Sequence, residues 1–254
     1  RPLRILIVGF GVFGQFLAKT FVRQGHRVMA CSRGDYSSVA TELGVRYVTT
    51  DKVSSIFAEG VDCVLVSVSI TSFEKVLKAL PWGALKNPEK VIVAEVLSVK
   101  IHPRTVMLET LSGQLDILCT HPMFGPESGK HGWRNLPFMF ERVRVKEANR
   151  ALCDRLIGIF ASEGCLMYEM SCTTHDSYAA SSQFVTHTTG RILSKLGLKS
   201  TPINTKGFES LLKLVETTCK DSFDLYQGLY KHNLHSKQQL KLLRTAFDEI
   251  ERDL

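Results

Sequence analysis

The sequence predicts an α/β protein, an N-terminal Rossmann-type doubly wound parallel sheet followed by an all-helical C-terminal domain. Three observations carry this expectation. Short runs of Val, Ile and Leu alternate with helical patterns through the first half of the chain. A GxGxxG segment follows the first of those runs directly, and strand patterns almost vanish beyond Glu147. Apolar runs buried on both faces and separated by helices are how parallel sheets read. The boundary falls near residue 146, giving a first domain at 1–146 and a helical second domain at 147–254.

Taken in order, Arg4–Val8 predicts a strand, Gly14–Gln24 a helix and Arg27–Cys31 a second strand. Asp35–Leu43 reads as a helix, Arg46–Val48 as a short strand and Cys63–Val68 as another β-branched run. Ser72–Leu80 is helical in pattern, Val91–Val96 and Leu115–Cys119 are further strands, and Phe138–Val145 closes the sheet. Beyond it, Ala148–Glu163, Thr174–Leu196, Phe208–Val215, Ser222–Asn233 and Ser236–Asp253 carry helical periodicity. The last of these ends in a heptad-like stripe of Leu240, Leu243, Phe247, Ile250 and Leu254, which reads as a packed helix at a subunit contact.

Composition narrows the function classes. The chain has 254 residues, 44% hydrophobic and 22% charged, which excludes long disorder, collagen and coiled-coil classes. No apolar run reaches the ~18 residues of a membrane span. Seven scattered cysteines form no CxxC pair, so neither a disulfide framework nor a metal site is indicated, and most read as small buried hydrophobes. The net charge of +7 has no basic run of five behind it, which favours anionic small molecules over nucleic acid.

The segment Gly9-Phe-Gly11-Val-Phe-Gly14 follows a strand and opens a helix, the context in which GxGxxG points to a dinucleotide. Gly9 permits the tight turn, Gly11 lets the backbone approach a pyrophosphate, and Gly14 lets helix and strand pack closely. The phosphates meet the free amides and positive dipole of the helix N-terminus. The second strand ends in Ser32 and Arg33, with no acid at its tip for a ribose 2′-hydroxyl. A hydroxyl and a planar cation suit a 2′-phosphate, so NADP is expected rather than NAD. Asp35 comes too late and is expected to face solvent or cap the next helix. Phe13, Tyr36 and Ser67 complete the expected cofactor set.

At the chemical end, Ser98 and His121 follow strand patterns whose carboxyl ends open on the ligand crevice of such sheets. A strand-edge His titrates near neutrality and serves as a general base, with a buried structural His as the alternative. Gln183, Thr186 and His187, at spacings of three and four, share one helix face. They read as a ligand-facing wall or as a polar stripe between helices.

The stretches Val8–Gly14, Leu97-Ser-Val-Lys100, Thr120-His-Pro-Met-Phe-Gly-Pro-Glu-Ser-Gly-Lys130, Gln183–Thr188 and Thr205–Phe208 resemble the arogenate/prephenate dehydrogenase family, in its plant arogenate dehydrogenase branch. They run along nearly the whole chain, and Thr120–Lys130 discriminates most. The resemblance implies an NAD(P)-dependent oxidative decarboxylation that gives tyrosine from arogenate or hydroxyphenylpyruvate from prephenate; with the Ser32-Arg33 tip, the leading expectation is NADP-dependent conversion of arogenate to tyrosine. His121 would take the ring 4-hydroxyl proton as hydride leaves C4, and Ser98 would position that hydroxyl. Gln183, Thr186 and His187 would line the substrate site, and Lys213 stands where bacterial relatives carry a carboxylate-binding Arg. Asp221 matches a position that is acidic in arogenate-specific members, though it is also placed as an ordinary N-cap. His175-Asp176 echoes a family motif but is expected to serve capping and packing. The resemblance further implies a homodimer built by the helical domain and a plastid location, with a transit peptide absent ahead of Arg1; the cytosol is the alternative. Three other readings stand beside it. They are a prephenate dehydrogenase, a β-hydroxyacid dehydrogenase using a helix Lys, and a dinucleotide-binding protein without catalysis.

Overall fold

The computed structural model describes residues 1–254. Its strands are β1 (Arg4–Val8), β2 (Arg27–Ser32), β3 (Arg46–Thr49), β4 (Cys63–Val66), β5 (Ile92–Glu95), β6 (Asp116–Pro122), β7 (Pro137–Arg144) and β8 (Leu166–Glu169). They form one sheet in the order β3-β2-β1-β4-β5-β6-β7-β8. β1 to β6 run parallel, β7 is antiparallel to β6, and β8 is parallel to β7. The strand order reverses direction between β1 and β4, the switch point at which such sheets open a crevice.

Parallel neighbours require crossovers, and helices supply them: α1 (Val12–Arg23), α2 (Ser37–Glu42), α3 (Val53–Glu59), α4 (Phe73–Ala79) and α5 (Ile101–Thr110). Sequence periodicity leaves α3 and α5 unassigned. α5 buries only Pro103, Val106 and Met107, too sparse a stripe to read. β1, β4, β5 and β6 are buried along almost their whole length, which is why they read as continuous apolar runs.

The chain divides into two compact units, Arg1–Cys172 and Thr173–Leu254, so the boundary expected near 146 lies 26 residues too early. Two elements move it. The helix α6 (Arg150–Ser162) packs against the sheet, Phe160 stacking on Phe138 at 3.9 Å and meeting Phe21 edge-on at 6.0 Å. Then β8 joins β7 in register, Phe138 opposite Met167. A helical pattern reports an apolar stripe but not its partner, and β8 is mostly exposed, with no alternation to betray it.

The second unit contains most of α7 (Cys172–Ala179), a π-helical turn at Ala180–Phe184, α8 (Val185–Lys195), α9 (Lys206–Lys220), α10 (Phe223–His232) and α11 (Ser236–Asp253). The single helix expected over Thr174–Leu196 is thus interrupted by the π turn. On α11, Phe247 and Ile250 are exposed, as is Leu254 just beyond it. No helix is long and apolar enough to cross a membrane.

The turn between β1 and α1 leaves no room for side chains. A Cβ on Gly14 would lie 2.3 Å from the Gly9 carbonyl oxygen, a backbone atom that cannot yield cheaply. Gly14→Ala is expected to cost about 1–3 kcal/mol in urea denaturation. Gly158→Ala inside α6, where a Cβ meets nothing within 4 Å, serves as the opposite control. It should gain about 0.4–1 kcal/mol by removing unfolded-chain freedom. A Gly14→Ala variant as stable as the parent would contradict the packing described.

Candidate functional site

The first group of candidate residues gathers at the carboxyl ends of β1, β2 and β4. Gly9 adopts φ +97°, and its amide donates to the Cys31 carbonyl at the end of β2 at 2.8 Å. The Ser67 amide donates to the Val8 carbonyl at 2.7 Å, which sets Ser67 directly beside the turn. A Cβ on Gly9 would lie 2.2 Å from the Ser67 carbonyl oxygen, so both the backbone angle and the space demand glycine. Gly11 differs: a Cβ there would meet nothing within 4 Å. Gly11 is the N-cap of α1, no side chain caps the helix, and its first turn holds no acid. An open face at an uncapped helix N-terminus accommodates a diphosphate. Phe13 stands half-buried in this turn, 5.9 Å from the Phe16 ring.

Ser32 ends β2 half-buried, and Arg33 is exposed beyond it. Asp35 is exposed and accepts the Ser37 amide at 2.9 Å just ahead of α2, whose N-cap is Tyr36. That bond holds its carboxyl below the usual carboxylate range and keeps the one acid of the turn engaged. Tyr36 packs edge-on to Phe10 at 6.3 Å and to Tyr47 at 6.5 Å. The Tyr47 hydroxyl donates to the Gly34 carbonyl and, at 3.3 Å, to the Ser32 carbonyl, fixing the turn from beneath. Sequence reading overlooks Tyr47 because it belongs to β3, remote in the chain. These residues fit a dinucleotide.

The second group lies at the carboxyl ends of β5 and β6. Glu95 and Cys119 are register partners, so Ser98 and His121 each stand a few residues beyond a shared rung. His121 is 3% exposed and pairs with Met139 of β7; Ser98 is half-buried. Behind them is a buried ion pair. Lys100 Nζ meets Glu95 Oε1 at 2.5 Å, and both side chains are fully buried. Lys100 Nζ also donates to the Thr120 carbonyl at 2.5 Å. The Leu97 amide donates to Glu95 Oε2 at 2.9 Å, and the Thr120 hydroxyl to the Glu95 carbonyl at 2.6 Å. Burial pushes the Glu95 carboxyl up, and the Lys100 ammonium and the Leu97 amide oppose the rise. A lone acid inside Val91-Ile-Val-Ala-Glu95-Val is the signal that finds it.

The segment after His121 folds onto α1. Phe124 lies 6.3 Å from Phe16 and 5.3 Å from Trp133. The Gly125 amide is capped by Ser128 Oγ at 3.1 Å.

The third group belongs to the second unit. Gln183 falls in the π turn, so the regular spacing expected for Gln183, Thr186 and His187 is broken. Gln183 is half-buried, Thr186 exposed and His187 buried, so the three do not share one environment. Gln183 Oε1 and His187 Nδ1 are buried without a hydrogen-bond partner. His187 Nε2 lies 3.6 Å from Asp221 Oδ2. The N-cap of α10 is Ser222, whose Oγ accepts the Leu225 amide at 3.1 Å, so the capping alternative for Asp221 falls away. Arg191 donates to the Asp221 carbonyl at 2.9 Å and lies 5.1 Å above the Tyr226 ring. Lys213 is exposed on α9. His175 and Asp176 are buried, Nδ1 to Oδ1 at 2.9 Å, with the Asp176 carbonyl accepting from Asn233 at 2.8 Å. No three or more His, Cys, Asp or Glu converge as metal ligands.

Two family models match the chain: the prephenate dehydrogenase nucleotide-binding domain over residues 17–140 and the TYRAAT1-like C-terminal domain over 192–254. Arogenate dehydrogenase 2, chloroplastic, of Arabidopsis thaliana is 47% identical over 99% of this chain and 70% of its own length. Arogenate dehydrogenase 1, chloroplastic, of the same plant is 52% identical over 99% of this chain, which spans only 39% of that relative. Among solved structures, Aquifex aeolicus prephenate dehydrogenase in complex with hydroxyphenyl propionate and NAD+ superposes with TM-score 0.76 at 18% identity, over 99% of this chain and 90% of that one. The Synechocystis arogenate dehydrogenase gives TM-score 0.61 at 17% identity, over 97% and 92%. At those identities the structures speak for the fold.

Burial lowers the His187 pKa; the Asp221 carboxylate opposes the shift and the Arg191 cation adds to it. The unfolded chain then binds this proton near pH 6.5 while the folded one does not, so stability falls as pH drops from about 6.5 towards the folded value. His187→Gln should flatten that slope in urea denaturation between about pH 7.5 and pH 5.5. His26, lowered mainly by its own burial, keeps part of it. An unchanged slope would contradict the buried, neutral imidazole.

Proposed function

The chain belongs to the arogenate/prephenate dehydrogenase family of oxidoreductases, and from that premise we propose that it catalyses the NADP-dependent oxidative decarboxylation of L-arogenate to L-tyrosine. The observation that carries the reading is the pairing of an open, uncapped α1 N-terminus at Gly11 with Ser98 and His121 at the carboxyl edge of the same sheet. Held at Gly9, Gly11, Gly14 and Ser67, a bound dinucleotide would supply the acceptor for the hydride that leaves C4 of the substrate ring. His121 takes the 4-hydroxyl proton and returns it to the phenolate oxygen after the ring carboxylate departs as CO2. Ser98 orients that hydroxyl. Aromatisation supplies much of the driving force, so these side chains mainly orient the ring and carry one proton.

Ser32 and Arg33 are assigned to the 2′-phosphate, with Tyr36 packed at the edge of the same turn; this supports NADP over NAD. Gly9, Gly11, Phe13, Gly14 and Ser67 complete the cofactor set.

In the second unit, substrate recognition is assigned to Gln183, Thr186, His187, Lys213 and Asp221. The buried, unpartnered Gln183 Oε1 and His187 Nδ1 support this. Asp221, freed from capping by Ser222, offers a carboxylate to the arogenate ammonium, which prephenate lacks. The exposed stripe of Phe247, Ile250 and Leu254 supports a second copy as the partner that covers it, a homodimer. The relatives' names support the plastid as the compartment.

Steady-state turnover with arogenate and prephenate, each with NADP+ and NAD+, tests the reading. Arogenate with NADP+ should dominate. Asp221→Asn should lower kcat/KM for arogenate by about 10–100-fold and narrow the preference over prephenate. His121→Asn should lower kcat about 10²–10⁴-fold with dinucleotide binding retained. A parent enzyme faster with prephenate would refute the role of Asp221, and an undiminished His121→Asn would refute the base.

A further inference from the structure

We propose that the buried Glu95–Lys100 pair is the positioning device that sets Ser98 against His121, acting through Leu97 and Thr120. The inference rests on the proposed reaction only in naming what those two side chains do.

Each half of the pair grips one side of the site. On the β5 side, Glu95 Oε2 accepts the Leu97 amide at 2.9 Å, and Lys100 reaches back to Oε1 at 2.5 Å. Ser98 lies between these two anchors, and it is the one residue of Val91–Lys100 that is not buried. On the β6 side, three groups of Thr120 are held. Its hydroxyl bonds the Glu95 carbonyl at 2.6 Å, its amide lies 3.3 Å from Glu95 Oε1, and its carbonyl accepts from Lys100 Nζ at 2.5 Å. His121 follows directly, so each functional side chain is one residue from an anchor.

Energetics argue that the pair is kept for geometry. A fully buried pair returns little net stability, because desolvation offsets the attraction, and apolar residues of similar volume serve a core as well. Here the surrounding strands are apolar throughout, and a hydrophobic pair would fit that pattern. What an apolar pair cannot do is bond a carbonyl on one strand and an amide in the neighbouring turn at once. The Cys119 thiol also bonds the Glu95 carboxylate, and Cys172 lies beyond it, so two further titratable groups stand beside the pair.

The test is the double variant Glu95→Gln/Lys100→Met in the full chain, which removes both charges and leaves no ion unpaired. Four quantities are read: thermal stability, NADP+ affinity, kcat over pH, and the titration midpoint of the His121 imidazole by NMR. The expected result is kcat down about 10–100-fold, the loss that a misplacement of about 1 Å produces, with NADP+ affinity within about twofold. The His121 midpoint should move by about half a unit or more, which corresponds to about 0.7 kcal/mol. Unchanged kcat with an unmoved midpoint overturns the proposal. If the double variant does not fold, Thr120→Val removes only the 2.6 Å bond and is read the same way. Lys100→Arg, which keeps the charge, should recover part of the rate in an otherwise intact site. Should the parent turn over neither arogenate nor prephenate, the reaction assigned above fails, and the His121 midpoint still decides this proposal.

Discussion

Parallel strands all end at the same edge, and this constraint organises the rest of the molecule. Six strands, β1 to β6, deliver six carboxyl ends to one side of the sheet. Residues far apart in the chain therefore come to one edge without any direct sequence relation: Gly9 meets Ser67 across the switch point, and Ser98 and His121 follow the paired strands β5 and β6. The antiparallel β7 and the returning β8 then close the sheet beyond β6, and α6 seals its face with Phe160. The sheet can be this apolar because helices cover its faces and the strand ladder pairs its backbone groups, which leaves polar side chains to its ends.

Two tight approaches make that edge usable. At the first, Gly9 and Gly14 let the β1–α1 turn fold without clash, while Gly11 leaves an open helix N-terminus. At the second, an ion pair buried in an otherwise apolar strand pair ties the turn after β5 to the end of β6. The first works by absence of side chains, and the second by two side chains that satisfy one another. Both bring backbone and side-chain groups to the carboxyl edge of the sheet.

Much of this was legible in the residues, and the misses have physical reasons. The glycine turn after β1 and the places of Ser32 at the end of β2 and His121 near the end of β6 follow from local patterns, so the sequence reads their placement directly. α5 escaped because its buried stripe is three residues, and β8 because an edge strand with little burial shows no alternation. The domain boundary slipped because α6 carries a helical pattern but packs on the sheet. The π turn at Ala180–Phe184 broke the regular face expected for Gln183, Thr186 and His187, since spacing arguments assume one helical period throughout. Asp221 also reads as a cap in the sequence, and Ser222 holds that place in the fold. Tyr47 and Glu95 act through partners that only the folded chain brings near.

The central claim, hydride loss from C4 coupled to decarboxylation at this edge, is tested most directly by following label. With arogenate deuterated at C4, the account predicts deuterium on the reduced nicotinamide and one CO2 released for each nucleotide reduced. Deuterium appearing in solvent, or nucleotide reduction without CO2, would contradict it.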